Sequence, residues 1–197
     1  MLSFFMAITV AAQSGKQSKQ QIYESMKKVA DWQVEHIWVK EESHPVHQAL
    51  EWTNAALYIG MIKWAGILED TSYWRFLKKI GEDHSWGLNT RQKGLGLYHA
   101  DDHAVGQMHL EMYRKYKDEK MLKPTLERMK YIMYHPAVSQ LKSRAPFNKD
   151  RWSWCDALYM APPVWAKLYR ITGERQYLDF LLGEYKAVTD YLFDTKE

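Results

Sequence analysis

The segment MYRKYKDEK, residues 112–120, aligns without gaps with LYRITGERQ, residues 168–176, at an offset of 56 residues. A looser copy, IKWA, occupies residues 62–65 and also precedes a short polar turn. Self-similarity at a fixed period of this length is typical of stacked helical hairpins, because one hairpin cannot bury its apolar face alone. The repeat therefore predicts an all-α fold, either an open solenoid or a closed double ring of helices.

Helical periodicity extends over most of the chain on both sides of this repeat. Apolar residues recur every three or four positions, which is the spacing of a helix that buries one face. No stretch shows sustained strand alternation, and short polar turns of the kind that join antiparallel helices separate the segments. The predicted helices are Ser18–Val39, Trp52–Ile67, Tyr73–Trp86, Ala104–Tyr116, Met121–Tyr134, Pro162–Ile171 and Gln176–Phe193.

The composition is that of one packed domain. The chain has 197 residues, and its 46% hydrophobic content is enough for a core. Its 27 basic and 24 acidic residues are interspersed, so nothing indicates a nucleic-acid partner. Nine tryptophans and thirteen tyrosines are a heavy aromatic load. Such side chains either fill a core or line a site for ring-shaped ligands.

The N-terminus suggests export. Residues 2–12, LSFFMAITVAA, form a short apolar run that ends in small residues before a polar stretch, as in the back part of a secretory signal peptide, although no basic residues precede it. The alternative is an apolar arm that packs on the domain. We expect residues 1–17 to be a signal-peptide remnant and linker, and the protein to be secreted or periplasmic. The run is too short to span a membrane as a helix, so no stable membrane association is expected. The single cysteine, Cys155, can form no internal disulfide.

The repeat also orders three clusters of polar and aromatic residues. WTN at residues 52–54, DDH at 101–103 and WCD at 154–156 each precede or begin the first helix of a hairpin. In a closed ring these entries converge on one mouth. A mouth rich in carboxylates and indoles is typical of a sugar-binding cleft.

Three segments resemble a known enzyme family. RWSWCDALYMAPPVWAKLY, residues 151–169, resembles the signature of the unsaturated glucuronyl and rhamnogalacturonyl hydrolases, glycoside hydrolase family 105, to which family 88 is related. YHADDHAVGQ, residues 98–107, and EWTNAALYIG, residues 51–60, resemble two further blocks in the expected order. Members of the family are (α/α)6 barrels longer than this chain. The resemblance thus implies that residues 18–197 are the N-terminal half of a catalytic barrel, a partial barrel that we expect to be inactive by itself.

The resemblance implies the hydration of a carbon–carbon double bond in a terminal 4,5-unsaturated uronic acid, on oligosaccharides that polysaccharide lyases release from pectin, rhamnogalacturonan or related polymers. An acid protonates C4, water adds at C5, and the resulting hemiketal opens and sheds the remaining saccharide. No metal or other cofactor is implied. By resemblance Asp156 is the general acid. Burial beside Trp152 and Trp154 is expected to raise the pKa of its carboxyl, so that it stays protonated near neutral pH.

The resemblance also assigns the other site residues, whereas spacing alone leaves alternatives for them. The family block makes Asp101 the second catalytic carboxylate, which would orient water or tune Asp156, with Asp102 as the other candidate. Either could instead cap the helix near Ala104, and Asp156 itself could be a helix-entry aspartate before Pro162. The predicted substrate-binding residues are Trp52, Thr53, Asn54, His99, His103, Arg151, Trp152 and Trp154.

Several alternatives stay open at this point. Thr53 and Asn54 are equally suited to capping the helix that follows Trp52. His99, Asp101 and His103 form a two-histidine, one-carboxylate set that could bind a metal. The protein could also be a different (α/α)6 carbohydrate-active enzyme, or a helical-repeat module that binds a partner without chemistry. The sequence leaves the oligomeric state and the sugar beyond the scissile bond undetermined.

Overall fold

A computed structural model describes residues 18–39, 46–68, 70–90, 96–137, 141 and 151–194. Within these residues every regular element is helical, which confirms the all-α prediction. The chain divides into two compact units, with the boundary after Val39. The expected signal-peptide remnant, residues 1–17, lies outside the described residues. No helix in the described part of the chain is long and apolar enough to cross a bilayer.

The first unit contributes one described helix, α1, Lys19–His36. A capping box sets its start: the Ser18 hydroxyl accepts from the Gln21 N–H, and the Gln21 side chain accepts from the Ser18 N–H. Pairs of side chains four residues apart, such as Lys27 with Asp31 at 2.7 Å, support its exposed surface. The apolar spacing located the helix, but the buried face that it predicted is not observed, since Ile22, Met26 and Val29 are exposed.

The second unit is built from three helical hairpins. Helix α2 pairs with α3, α5 with α6, and α8 with α9, while α5 also packs against α2 and α8. Helices α2, α5 and α8 therefore lie side by side. The short helices α4 and α7 precede α5 and α8 and pack on each other. The bounds are α2 Trp52–Leu68, α3 Thr71–Asp83, α4 Ala100–His103, α5 Gly106–Tyr116, α6 Glu119–Tyr134, α7 Ala157–Met160, α8 Pro162–Thr172 and α9 Arg175–Leu192, with a 3-10 turn at Gly96–Tyr98.

The 56-residue repeat of the sequence reappears in the backbone. Both boundaries of α8 lie 56 residues after the corresponding boundaries of α5. Each helix ends in a left-handed residue, Lys117 with φ 58° and Gly173 with φ 73°. The N–H groups of these residues donate to the carbonyls of Tyr113 and Tyr169, both at 2.8 Å. The aligned segments thus encode the same turn, which reverses the chain into the second helix of each hairpin.

The helix predicted to end at Trp86 ends three residues earlier, at Asp83. Ser85 and Trp86 adopt left-handed conformations, with φ of 52° and 56°, and the Trp86 N–H donates to the Gly81 carbonyl at 2.7 Å. This turn folds the indole back onto α3. A Cβ at position 81 would lie 2.3 Å from the indole ring, so only glycine allows the contact.

Two histidines are fully buried in the second unit. The Nε2–H of His103 donates to the Leu97 carbonyl at 3.0 Å. His109 lies edge-on to Trp86, with ring centroids 5.4 Å apart, and neither of its ring nitrogens has a hydrogen-bond partner among the described residues. Burial lowers the pKa of each imidazole from 6.5 to about 3, because the cation would lose its hydration. Both rings are therefore neutral in the folded protein.

The backbone conformation predicts opposite effects of substitution by alanine at two glycines, one in a left-handed turn and one within a helix. Gly173→Ala should destabilise the protein by about 1 kcal/mol, because alanine is strained in the left-handed region. No atom lies within 4 Å of the added Cβ, so backbone strain is the main effect expected. Gly183→Ala, within α9 and equally without neighbours, should stabilise it by up to about 1 kcal/mol. Urea unfolding of both variants measures the two signs. Equal shifts in the same direction would contradict the prediction.

The buried histidines predict a loss of stability in acid. Between pH 6.5 and about 3 the unfolded chain binds protons that the folded chain excludes, so the free energy of unfolding falls as the pH drops below 6.5. Each histidine contributes at most about 1.4 kcal/mol per pH unit. His109→Gln should therefore lose less stability than the wild type between pH 7 and pH 5, as measured by urea unfolding. The same loss in both proteins would show that His109 does not titrate in this way.

Candidate active site

A cleft of about 230 Å³ lies where the three hairpins begin. Its walls come from the start of α2, from the segment leading into α5, and from the segment leading into α8. These three segments contain the clusters that the repeat ordered along the sequence. The residues that line the cleft are Trp52, His99, Ala100, Asp101, Arg151, Ser153, Trp154, Asp156 and Ala157.

The structure brings two carboxylates to this cleft, those of Asp101 and Asp156. Asp156 directly precedes α7, but its side chain caps no backbone N–H of that helix. Asp156 thus stands at a helix entry, as the alternative interpretation had it, but at the start of α7 and without a capping hydrogen bond. Its carboxyl is left to face the cleft.

The prediction that Asp156 is buried is wrong, because the residue is exposed. Its two tryptophan neighbours in the sequence do not cover it. Trp152 is fully buried in the core, where its indole N–H donates to the Tyr98 carbonyl at 3.2 Å, and Trp154 is itself 59% exposed. The two indoles precede Asp156 closely in the sequence but do not exclude water from it.

Asp101 is held beside His99. The Nδ1 atom of His99 accepts from the Asp101 N–H at 3.2 Å and lies 3.8 Å from the Asp101 carboxylate, so His99 rather than an aspartate caps α4. Because Nδ1 is the acceptor, the proton of the neutral ring lies on Nε2. The side chains are 19% and 13% exposed, so Asp101 is a half-buried carboxylate at the cleft wall.

Asp102 does not reach the cleft, which corrects its place among the catalytic candidates. It is fully buried. Its negative charge opposes the lowering of the Arg128 pKa that burial causes. Arg128 in turn donates to the Asn89 carbonyl and the Thr90 hydroxyl, both at 3.2 Å. We therefore assign Asp102 to a buried electrostatic contact that joins α4 to α6.

Four predicted substrate-binding residues, Thr53, Asn54, His103 and Trp152, do not line the cleft. The Asn54 amide donates to the carbonyls of His47 and Gln48, both at 3.1 Å, and so fixes the segment before α2 rather than capping the helix. The Thr53 hydroxyl is buried without a partner in the described part of the chain. His103 and Trp152 are fully buried and bonded to backbone carbonyls.

The metal alternative fails on the same geometry. His99 and Asp101 line the cleft, whereas His103 lies in the core with its Nε2 on the Leu97 carbonyl. The three side chains therefore do not converge. Among the described residues there is no group of three or more His, Cys, Asp or Glu placed to bind a metal ion. The exposed Cys155 is likewise absent from the lining of the cleft.

Arg151 lines the cleft with its guanidinium bound to Glu184 of α9. The Nε–H donates to Oε2 at 3.1 Å and an Nη2–H donates to Oε1 at 2.7 Å, and both side chains are at least four-fifths buried. Sequence analysis identified Arg151 but missed Glu184, which lies 33 residues away in a helix of ordinary composition. It also missed Ser153, a buried serine in the cleft wall, because a lone serine carries no signal.

Comparisons with known proteins agree with this architecture. The model of Glycosyl Hydrolase Family 88 matches residues 25–197. An unsaturated 3S-rhamnoglycuronyl hydrolase of Alteromonas sp. (strain LOR) is 30% identical over 180 residues, which are 83% of this chain and 43% of that protein. A protein of the same description from Formosa agariphila is 28% identical over 98% of this chain and 49% of its own length.

Two solved structures share the fold. A polysaccharide lyase matches 86% of this chain and 48% of its own, with a TM-score of 0.64 and 24% identity. A glycosyl hydrolase family 88 protein from Bacteroides vulgatus matches 87% of this chain and 49% of its own, with a TM-score of 0.62 and 22% identity. This likeness confirms the predicted (α/α)6-barrel type of fold. The chain spans about half the length of the relatives it matches.

Proposed function

This chain belongs to glycosyl hydrolase family 88, and from that premise we propose that the protein removes a terminal 4,5-unsaturated uronic acid from oligosaccharides. The observation that carries the proposal is the pair of carboxylates, Asp101 and Asp156, in one cleft with indole rings. The names of the two hydrolases that resemble the chain support an unsaturated uronyl substrate.

In the proposed reaction Asp156 is the acid. Its proton passes to C4, the double-bond electrons form the new C4–H bond, and the positive charge that develops at C5 is shared with the ring oxygen. Water then adds at C5 and loses a proton to a carboxylate. The resulting hemiketal opens by breaking the bond between C5 and the ring oxygen, which gives a ketone at C5 and a hemiacetal at C1. The hemiacetal then expels the rest of the saccharide as an alcohol and becomes an aldehyde. We assign the orientation of the water that adds at C5 to Asp101, and the support is its position in the cleft wall beside His99.

The aromatic wall suits a sugar ring. Trp52 is 37% exposed and Trp154 is 59% exposed, although both are large apolar residues. Exposed indoles on a concave surface bind the apolar faces of ring-shaped ligands. Arg151 is the permanent cation among the described lining residues, and a guanidinium pairs with a planar carboxylate through two parallel hydrogen bonds. These side chains supply the contacts that a uronic acid requires.

The proton of Asp156 needs an apolar cover that the described residues do not provide, since the residue is exposed. We propose that the bound sugar supplies part of this cover. Removing water from around the carboxyl disfavours its anionic form, which is the condition for donating a proton to carbon.

Asp156→Asn should nearly abolish turnover, because an amide cannot supply the proton. We expect kcat to fall by roughly 10²- to 10⁴-fold, with little change in the affinity for substrate. The assay follows the loss of ultraviolet absorbance of an unsaturated uronyl disaccharide, in the longest form of the protein that its gene encodes. Asp83→Asn is the matched control, since Asp83 is exposed and pairs only with Lys79 among the described residues; it should leave kcat unchanged.

Three results would contradict the proposal in different ways. If the wild type leaves the absorbance unchanged on every lyase product, the hydration reaction is wrong. If Asp156→Asn retains turnover within a few-fold, another group is the acid. If the wild type binds the disaccharide without turnover and Asp156→Asn changes nothing, the protein is a binding module.

A further inference from the structure

Most ion pairs of the described residues join positions three or four apart in the sequence, whereas Arg151–Glu184 and Lys167–Glu111 join different segments. Arg151 lines the cleft, whereas Glu184 lies on α9 and does not line it. Their side chains are 20% and 14% exposed. The two hydrogen bonds run from one edge of the guanidinium to both carboxylate oxygens. Such a fork fixes the plane of the guanidinium as well as its position.

Tyr98 extends this contact to a second segment of the cleft. The tyrosine is 4% exposed and immediately precedes His99. Burial raises the pKa of its hydroxyl, and the charge of Glu184 and a hydrogen bond to that carboxylate raise it further. The Tyr98 carbonyl also accepts the indole N–H of Trp152, the residue after Arg151. The hydrogen bond from Trp152 to the Tyr98 carbonyl thus holds together the segments that lead into α5 and α8, and Glu184 lies near enough to act on the Tyr98 hydroxyl.

We propose that Glu184 is a positioning residue, which holds the Arg151 guanidinium in the cleft wall so that it binds the carboxylate of a uronic acid substrate. The inference rests on the proposed function and extends it to substrate recognition. An arginine side chain loses much of its rotamer freedom when it is ordered. Glu184 imposes this order before the substrate arrives, so that substrate binding does not have to.

The pair could have the opposite role, because Glu184 also balances the charge of Arg151. If this neutralisation dominated, its removal would strengthen the binding of an anion. If positioning dominates, its removal weakens that binding. The two roles therefore predict opposite signs for the same substitution.

The test compares Glu184→Gln with the wild type, on an unsaturated uronyl disaccharide and on its methyl ester, which lacks the negative charge. We expect KM for the acid to rise on the order of tenfold, as for the loss of a hydrogen bond to a charged group, with kcat changed less than about threefold. KM for the ester should not change. Arg151→Gln should have the same effect, and the double variant should add little to either single variant, because both act through one contact.

Two further variants control for folding. Asp179→Asn removes the carboxylate of the other arginine pair on α9, Arg175 with Asp179 at 2.8 Å, and should leave both KM values unchanged. Tyr98→Phe keeps the ring in the core and removes its hydroxyl from Glu184. It should raise KM for the acid in the same direction but by less. If thermal unfolding shows that Glu184→Gln does not fold, the Tyr98→Phe variant still tests the inference.

Each remaining outcome overturns the inference. Tighter binding of the acid by Glu184→Gln would show that the glutamate neutralises Arg151. Equal losses on the acid and the ester would assign it a structural role alone. Additive effects of Glu184→Gln and Arg151→Gln would show that the two residues act separately. Absence of turnover in the wild type would instead contradict the proposed function, so a failure of that function can be told from a failure of the inference about Glu184.

Discussion

The structure of the second unit depends on the inability of one hairpin to bury its own apolar face. Helix α5 meets α2 on one side and α8 on the other, and all three begin at the edge where the cleft lies. Residues at the beginning of these helices become neighbours although they are about 50 residues apart in the chain. The cleft is thus a consequence of how the hairpins pack, and the packing explains why residues near positions 52, 101 and 156 share one wall.

The same packing separates neighbours in the sequence. Asp101 lies at the cleft and Asp102 in the core, although both belong to the first turn of α4. Trp154 is exposed at the cleft while Trp152 is fully buried and donates its N–H to Tyr98. In each pair the buried member has its polar group near a residue of another segment: Asp102 lies near Arg128 of α6, and Trp152 donates to the Tyr98 carbonyl. Burial of a polar side chain is tolerated where such a contact exists, so tertiary contacts decide which neighbour faces the ligand.

The sequence predicted the fold and the location of the cleft, but not which of the residues near the cleft face it and which lie in the core. Periodicity placed the long helices to within a few residues, since helix formation and burial of one face are repeated locally along the chain. The error at Trp86 arose because a left-handed turn at non-glycine residues has no sequence signal of its own. Asn54 and His103 were placed in the cleft by proximity to their neighbours, and only the fold shows that their side chains bond to backbone carbonyls. Glu184 was missed because its role is defined by Arg151, a residue from a distant segment.

Two of the charged groups of the cleft, Arg151 and Asp156, differ in how far the described residues fix them. Arg151 is ordered before any ligand arrives, since Glu184 and the core around Tyr98 hold it in the wall. Asp156 is exposed and makes no capping bond, so the structure leaves its environment to be completed by what binds beside it. Under the proposed function, a sugar ring in the cleft would displace water from around Asp156. An anion held by Arg151 would bring that ring to the carboxyl, so the fixed guanidinium would set where the substrate lies relative to the acid.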